Sequence, residues 1–365
     1  MPWRRKLSML KILERRTEAM QSIERPADII AKTASNDGIV KNAWYLAAWS
    51  DEVSQELLPR RIAEEPMVFY RSSDGTAAAL LDRCPHRKYP LSAGKLDGDL
   101  VQCGYHGFRF DTDGTCLSVP GQVKVPLSAN VRSFPLVEQF GQIWVYPGDA
   151  ALADPAKIPH VPWTSEWWST TGLSPLNARA SLLIDNLLDL SHETFIHPGI
   201  GSPEVAETPI EVERDGDVLW VRRKMYGVAC PPNYAKSSGL TSPIDRSQEI
   251  QFFAPGFYVL HVRVAAAGDT GPGHLSKVVY GITPETKHTT HNFYGICRDL
   301  PRDPHKRPFS GQRITVQEDK EALERLERAL VADPDNVPEV SIGIDRGGLL
   351  GRRMIADLLR KEAQD

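Results

Sequence analysis

The chain has 365 residues, 41% hydrophobic and 25% charged, enough for roughly two or three domains with a sizeable core. A net charge of −4 gives no electrostatic case for nucleic acid or an anionic membrane, and no apolar run approaches the ~18 residues of a membrane span. Of five cysteines two fall in paired Cys/His loops, and the remaining Cys116, Cys230 and Cys297, an odd and widely spaced trio, argue against a disulfide framework and for a reducing cytoplasm.

Residues 1–42 form an extension. Its start is basic (Arg4, Arg5, Lys6, Lys11) with Leu7, Leu10, Ile12 and Leu13 interspersed. The charges break any signal-peptide core, and Glu14, Glu18 and Glu24 count against a transit peptide. A surface helix that wraps a neighbouring subunit or stays loosely ordered is expected. Pro26 and Ser35-Asn36-Asp37-Gly38 then mark a turn.

Residues 43–150 read as a small antiparallel β-domain. Strands at 66–71 and 76–81 flank Asp74-Gly75, and strands at 134–139 and 142–146 flank Gly141, both hairpin signals. Within this domain stand Cys84-Pro85-His86-Arg87 and, after a gap, Cys103-Gly104-Tyr105-His106-Gly107. Each short loop carries one thiol and one imidazole. Two histidines replacing two thiolates on one iron of a [2Fe-2S] cluster raise its potential by hundreds of millivolts. The spacing therefore reads as a Rieske [2Fe-2S] centre held by Cys84, His86, Cys103 and His106. Tetrahedral zinc is the competing reading, although zinc fingers usually pair Cys with Cys and His with His.

These loops, with Pro120-Gly121 and Ile143-Trp144-Val145, resemble the Rieske domain of the Rieske non-haem iron oxygenases, closest to the vanillate O-demethylase and dicamba monooxygenase branch. Lys88-Tyr89 departs from the small residue common in that branch after Cys-x-His-Arg.

Residues 151–365 read as the catalytic domain. His192 and His197 are five apart, about 140° on an ideal helix, so they share a face only if the helix ends or bulges; Pro198 suits an end nearby. Two histidines and one carboxylate leave iron positions open for oxygen and substrate. The order Asn186, Asp189, His192, His197 resembles the mononuclear iron motif of the family. The resemblance implies Asp319 as third ligand, from a Glu-Asp pair opening a late helix at 318–331. Glu318 is the alternative, and a carboxylate in a first turn also suits the helix N-terminus without any metal. Asp189 lies three residues before His192, on the same face of a helix. By resemblance it is a bridging carboxylate between His192 and His106 of the partner subunit, in a head-to-tail homotrimer; Asn186 shares its catalytic assignment.

Further strands are expected at 208–213, 218–226, 248–253, 257–264, 277–283 and 290–297, followed by the long helix and a closing helix after Gly347-Gly348. The fold class is thus α+β, an antiparallel Rieske domain followed by a helix-grip domain. An aromatic substrate is expected between sheet and helix, lined by either His291 with Phe293 or Asn292 with Tyr294, with a loop at 226–233 at the mouth.

The resemblance implies the oxygenase component of a cytoplasmic aromatic monooxygenase, with a [2Fe-2S] cluster and mononuclear Fe(II). Electrons would come from a separate NAD(P)H-dependent reductase, since no nucleotide-binding glycine fingerprint occurs. The expected outcome is O-demethylation of a carboxylate-bearing aromatic ether with release of formaldehyde. Aryl-methyl hydroxylation, N-demethylation and ring dihydroxylation would use the same iron. A bare Rieske electron carrier is the non-enzyme alternative.

Overall fold

The computed structural model describes residues 38–161, 167–241, 243–301, 311–333 and 339–364. The helix expected in the N-terminal extension falls in 1–37, outside the described residues. The first domain holds β1 (Tyr45–Trp49), β2 (Leu58–Ile62), β3 (Glu65–Arg71), β4 (Ala77–Leu81), β5 (Lys95–Asp97), β6 (Leu100–Gln102), β7 (Arg109–Phe110), β8 (Cys116–Ser118), β9 (Leu136–Gln139) and β10 (Gln142–Val145). They form three antiparallel sheets, ordered β1-β10-β9, β2-β3-β4 and β5-β6-β7-β8. The β9–β10 turn places both Phe140 (φ 53°) and Gly141 (φ 73°) in the left-handed region, whose twist matches that of the flanking strands.

The second domain opens with β11 (Trp167–Leu176), α1 (Ala180–Leu188), α2 (Glu193–Ile196), α3 (Pro203–Glu207), β12 (Glu211–Asp215), β13 (Val218–Val228) and α4 (Pro232–Ser238). Then come β14 (Ile244–Phe253), β15 (Phe257–Ala266), β16 (His274–Thr286), β17 (Thr289–Pro301), α5 (Gly311–Ala332) and α6 (Arg346–Glu362). Seven antiparallel strands run in the order β11-β17-β16-β15-β14-β13-β12. Strand β11 was not expected: Pro175 and Gly172 blur its alternation, which an edge strand tolerates.

Both faces of this sheet are buried, against different things. On the inner face Leu219, Ile250, Phe252 and Ile282 pack with Leu183 and Ile184 of α1, Leu323 of α5 and Met354 of α6. On the outer face Phe257, Val259, Val279 and Phe293 meet Trp44, Leu46, Trp49 and Trp144 of the first domain. Polar ties cross the same seam: Thr283 Oγ1 donates to Leu46 O at 2.7 Å, and Trp49 Nε1 to Gly172 O at 3.0 Å. Gly172 faces Tyr294 in the β11–β17 ladder, and a Cβ there would stand 2.5 Å from the tyrosine ring. Among the described residues no helix is long and apolar enough to cross a membrane.

Candidate metal centres and substrate cavity

The two cluster loops share one backbone design. In the first, Cys84 N–H donates to Tyr89 O and Lys88 N–H to Cys84 O; in the second, Cys103 N–H donates to Phe108 O and Gly107 N–H to Cys103 O. The fifth position is left-handed in both, at Lys88 (φ 62°) and Gly107 (φ 73°). This knuckle buries the two sulfurs (2% exposed each) while His86 and His106 stay exposed, their rings 4.5 Å apart. His86 stacks on Phe108, with ring centres 5.1 Å apart. Burial, with the Cys103 sulfur beside it, pushes the Cys84 thiol up to about 11, so a metal is needed to draw out the thiolate.

Sulfur thus pairs with sulfur and imidazole with imidazole. A tetrahedral zinc would gather its four ligand atoms within ~4 Å of one another. Among the described residues no three of these four come within 4.8 Å. Two pairs set apart suit a two-iron cluster with one pair per iron. Zinc does not fit.

The second centre is a compact triad. His192, His197 and Asp319 are the one group of three or more among the described residues whose ligand atoms all lie within 4.8 Å. The five-residue spacing works because the chain breaks: α1 ends at Leu188, Asp189 is extended, and the two histidines cap opposite ends of the four-residue α2. That break also corrects one expectation. Asp189 and His192 do not share a helical face within this chain. The Asp189 carboxylate caps the following turn, accepting from Ser191 N and Oγ at 2.9 Å each, while His192 Nδ1 meets the Asp189 backbone carbonyl at 2.6 Å.

A carbonyl oxygen only accepts, so His192 carries its proton on Nδ1 and turns the Nε2 lone pair inward. Glu318 does the same for His197, whose Nδ1 lies 2.8 Å from Glu318 Oε2. Asp319 Oδ1 then stands 3.1 Å from His197 Nε2 and 3.5 Å from His192 Nε2, with Asn186 Nδ2 donating to it at 3.1 Å. Burial favours the neutral His197 ring, but the Asp319 hydrogen bond and charge outweigh it and hold the pKa above its ordinary value. Three ligand atoms within 4.8 Å of one another can hold a cation, and this donor set fits ferrous iron.

Helix α5 begins at Gly311, seven residues before the expected start, so Asp319 sits in its third turn. The helix-terminus explanation for that carboxylate therefore falls away. Beneath the triad, Glu193 (3% exposed) accepts from Arg246 Nη2 at 2.8 Å and Gln248 Nε2 at 2.9 Å. Arg246 Nη1 also donates to Ile200 O at 2.9 Å, so this buried pair clamps α2 and the loop after His197 to β14. No sequence signal marked it, because the partners are fifty residues apart.

The triad opens into a cavity of about 120 Å³, walled by Leu187, Leu260, Val262, Val278, Tyr280 and Ile296. None of the four expected pocket residues lines it. Phe293 faces the first domain, 6.4 Å from Trp49, and His291 Nε2 contacts Arg61 O there at 2.9 Å. Asn292 and Tyr294 point to the inner face but are buried short of the cavity. Two and four residues past Tyr294 on that face, Ile296 and Arg298 do line it. At 226–233 the chain is not a plain loop: β13 continues to Val228, and α4 follows, lining the cavity through Asn233, Tyr234 and Ser237.

Two family models match this chain: the Rieske [2Fe-2S] domain over residues 43–135 and the vanillate O-demethylase oxygenase C-terminal domain over 176–361. A vanillate O-demethylase oxygenase subunit from a Pseudomonas species is 38% identical over 89% of this chain and 96% of its own. The oxygenase component of dicamba O-demethylase from Stenotrophomonas maltophilia is 33% identical over 89% and 99%. The crystal structure of dicamba monooxygenase bound to 3,6-dichlorosalicylic acid superposes with a TM-score of 0.84 at 32% identity, covering 90% of this chain and 100% of that one. A further dicamba monooxygenase structure, described with non-haem iron and dicamba, gives a TM-score of 0.78 at 32% identity over 89% and 99%. With a matching catalytic domain behind the cluster, a bare electron carrier is set aside. The chain belongs to the Rieske non-haem iron oxygenases: it is the oxygenase component of a monooxygenase system, carries a [2Fe-2S] cluster and a mononuclear iron, and works with a separate reductase.

Proposed function

We propose that this oxygenase O-demethylates an aromatic methyl ether bearing an acidic substituent and releases formaldehyde. Cys84, His86, Cys103 and His106 hold the cluster, and His192, His197 and Asp319 hold the iron. The observation that carries this reading is that the triad lines a mostly apolar cavity. Relatives named as vanillate and dicamba O-demethylase components, aligned over most of their length, support the choice of reaction. Bound there, the iron supplies open positions for oxygen, with electrons arriving through the cluster. The chain's own residues do the positioning. Glu318 and the Asp189 carbonyl fix the two imidazoles, Asn186 steadies Asp319, and the apolar walls keep bulk water from the methyl group.

Electron delivery completes the proposal. The Asp189 carboxylate is only partly buried, and its bonds to Ser191 leave lone pairs for an incoming imidazole N–H. His106 is exposed. In a homotrimer, His106 of the partner subunit would donate to Asp189 and pass electrons toward His192. Asp189→Asn is expected to keep both metals and slow coupled turnover by at least ~100-fold, on the scale of a lost positioning contact. Turnover at the wild-type rate in that variant rules out the bridge.

The test of the reaction is a panel of methoxy-, methyl- and N-methyl-substituted aromatic acids supplied with a generic reductase, following oxygen uptake and formaldehyde. Formaldehyde from the methoxy acids is expected. Oxygen consumed with hydroxymethyl product alone, or a silent panel on fully metallated protein, overturns O-demethylation. In parallel, His192→Ala is expected to drop iron from about three to about two per chain while the cluster's visible absorption persists.

A further inference from the structure

Strand β13 alternates, and its inner face carries Leu219, Val221, Arg223 and Met225. Arg223 is thus an arginine in an apolar row, 4% exposed. Its two hydrogen bonds are long, and both go to neutral acceptors: Nε to Thr208 O at 3.3 Å and Nη1 to Gln248 Oε1 at 3.5 Å. A guanidinium keeps its proton in a protein, so a full positive charge is held here out of water. Among the described residues no carboxylate is bonded to it. Burial of that kind is costly unless nearby charges compensate it.

Two carboxylates supply that compensation. Burial lowers the Arg223 pKa, and Asp189 is the strongest influence pushing it back up, followed by Glu193; the Arg246 charge acts in the same sense as burial. Glu193 already has its cation, since Arg246 Nη2 donates to it at 2.8 Å. The Asp189 carboxylate has none, for it accepts only from Ser191 N and Oγ. Arg223 and Asp189 are therefore the charges left over, one of each sign. Packing agrees with the charge count. Leu188 and Leu190, on either side of Asp189, wall a small cavity together with Arg223 and Gln248. The guanidinium thus lies on the sheet side of the 188–190 segment, and the outer side of the partly buried Asp189 stays open. Asp189 and Glu193 also bracket His192 in the chain, so the same charge stands behind an imidazole of the proposed iron site.

We propose that Arg223 is a positioning residue for electron entry: it compensates the Asp189 carboxylate from the buried side and raises the reduction potential of the iron held at His192. Without it, an uncompensated carboxylate beside His192 disfavours the gain of an electron. At ~10 Å and an effective dielectric constant of about 20, the attraction of one such charge amounts to roughly a tenfold change in equilibrium. One electron leaves the reduced cluster, one arrives at the iron, and the reductase reloads the cluster. The inference rests on the proposed bridge for the route of the electron, and not for the field at the iron.

The experiment removes the charge and keeps the length, with Arg223→Met as the main variant and Arg223→Lys as the charge-conserving one, both as fully metallated holoenzyme. The midpoint potential of the mononuclear iron is read by redox titration of its ferric paramagnetic signal. Reoxidation of the chemically reduced cluster, on mixing with oxygen and the best methoxy acid of the panel, is followed by stopped-flow absorbance without reductase. Arg223→Met should lower the iron potential by ~59 mV, a tenfold shift for one electron, and slow cluster reoxidation by roughly 10-fold. Arg223→Lys should keep most of both, whereas an arginine with a merely structural role would fail alike in the two variants. Retained iron and cluster absorption show that the variants are folded, and Arg223→Gln carries the same test if Arg223→Met loses metal. An unchanged iron potential in the neutral variant, or an equal drop in Arg223→Lys, overturns the role. A lowered potential in Arg223→Met, with Asp189→Asn turning over at the wild-type rate, leaves the field standing and removes the bridge. An unchanged potential with Asp189→Asn slow does the reverse.

Discussion

Glu318 and Asp319 are adjacent carboxylates with separate tasks, and a helix explains why. Successive side chains point about 100° apart, so one reaches the Nδ1 edge of His197 and the other the Nε2 edge. Glu318→Gln keeps the shape but weakens the acceptor; iron affinity is expected to fall ~10–100-fold, read by titrating metal-free protein with ferrous iron. At the cluster, Lys88 occupies a left-handed position whose counterpart in the second loop is Gly107. Lys88→Gly should stabilise the first domain by about 1 kcal/mol, visible as a higher melting midpoint with cluster absorption unchanged. The spacing of Cys84, His86, Cys103 and His106, and the order of Asn186, Asp189, His192 and His197, were legible in the chain. The division of labour between Glu318 and Asp319 was not, because two neighbouring acids look alike until a histidine ring is set between them. Arg223 left no trace either, since an arginine in a strand reads as a surface residue until something packs over it.

At the level of elements, α5 carries the third proposed ligand and is fastened to the sheet near its far end. Glu327, 4% exposed, accepts from Arg179 Nε at 2.8 Å and contacts His288 Nδ1 at 2.7 Å. Burial alone would raise its pKa, but these hydrogen bonds more than offset it and hold the carboxyl below its ordinary value. A carboxylate depressed in the folded state adds stability above its unfolded pKa of about 4.3, and that contribution disappears as pH falls through the folded value. Glu327→Gln should therefore lower stability by about 3 kcal/mol at pH 7 and flatten the loss seen below pH ~4, measured by denaturant titration across pH. The expected helix began late because the residues from Gly311 to Gln317 are largely polar: Gln312 and Thr315 line the cavity and Val316 alone joins the core, so apolar periodicity appears only further on. Hairpins were readable wherever glycine marked the turn, as at Gly75, Gly141 and Gly216. In β17 the alternation was readable but the direction was not. Both faces of that strand are buried, so His291 and Phe293 look as suited to a pocket as the residues beside them.

Across the whole molecule, one sheet serves two partners. Its inner face encloses the proposed iron site and its outer face is the floor on which the cluster domain stands, so the two domains share a core of tryptophans and phenylalanines. The Thr283 hydroxyl is a buried polar fastener of that seam. Thr283→Val preserves shape but leaves the Leu46 carbonyl without its donor. A loss of about 1–2 kcal/mol is expected, with the domains separating more readily under limited proteolysis while each retains its metal. Two-domain composition was evident from the chain. The seam was not, since its residues look like ordinary core until the partner domain covers them.

The missing side chain at Gly172 has a consequence for alignment. The Tyr294 ring lies across β11 where that glycine leaves a notch. If β17 slid by two residues, keeping its faces, the ring would strike the Cβ of Thr170 or Ser174. The bare backbone thus keys a single setting of the edge strand, and the same setting brings Ile296 and Arg298 to the cavity wall.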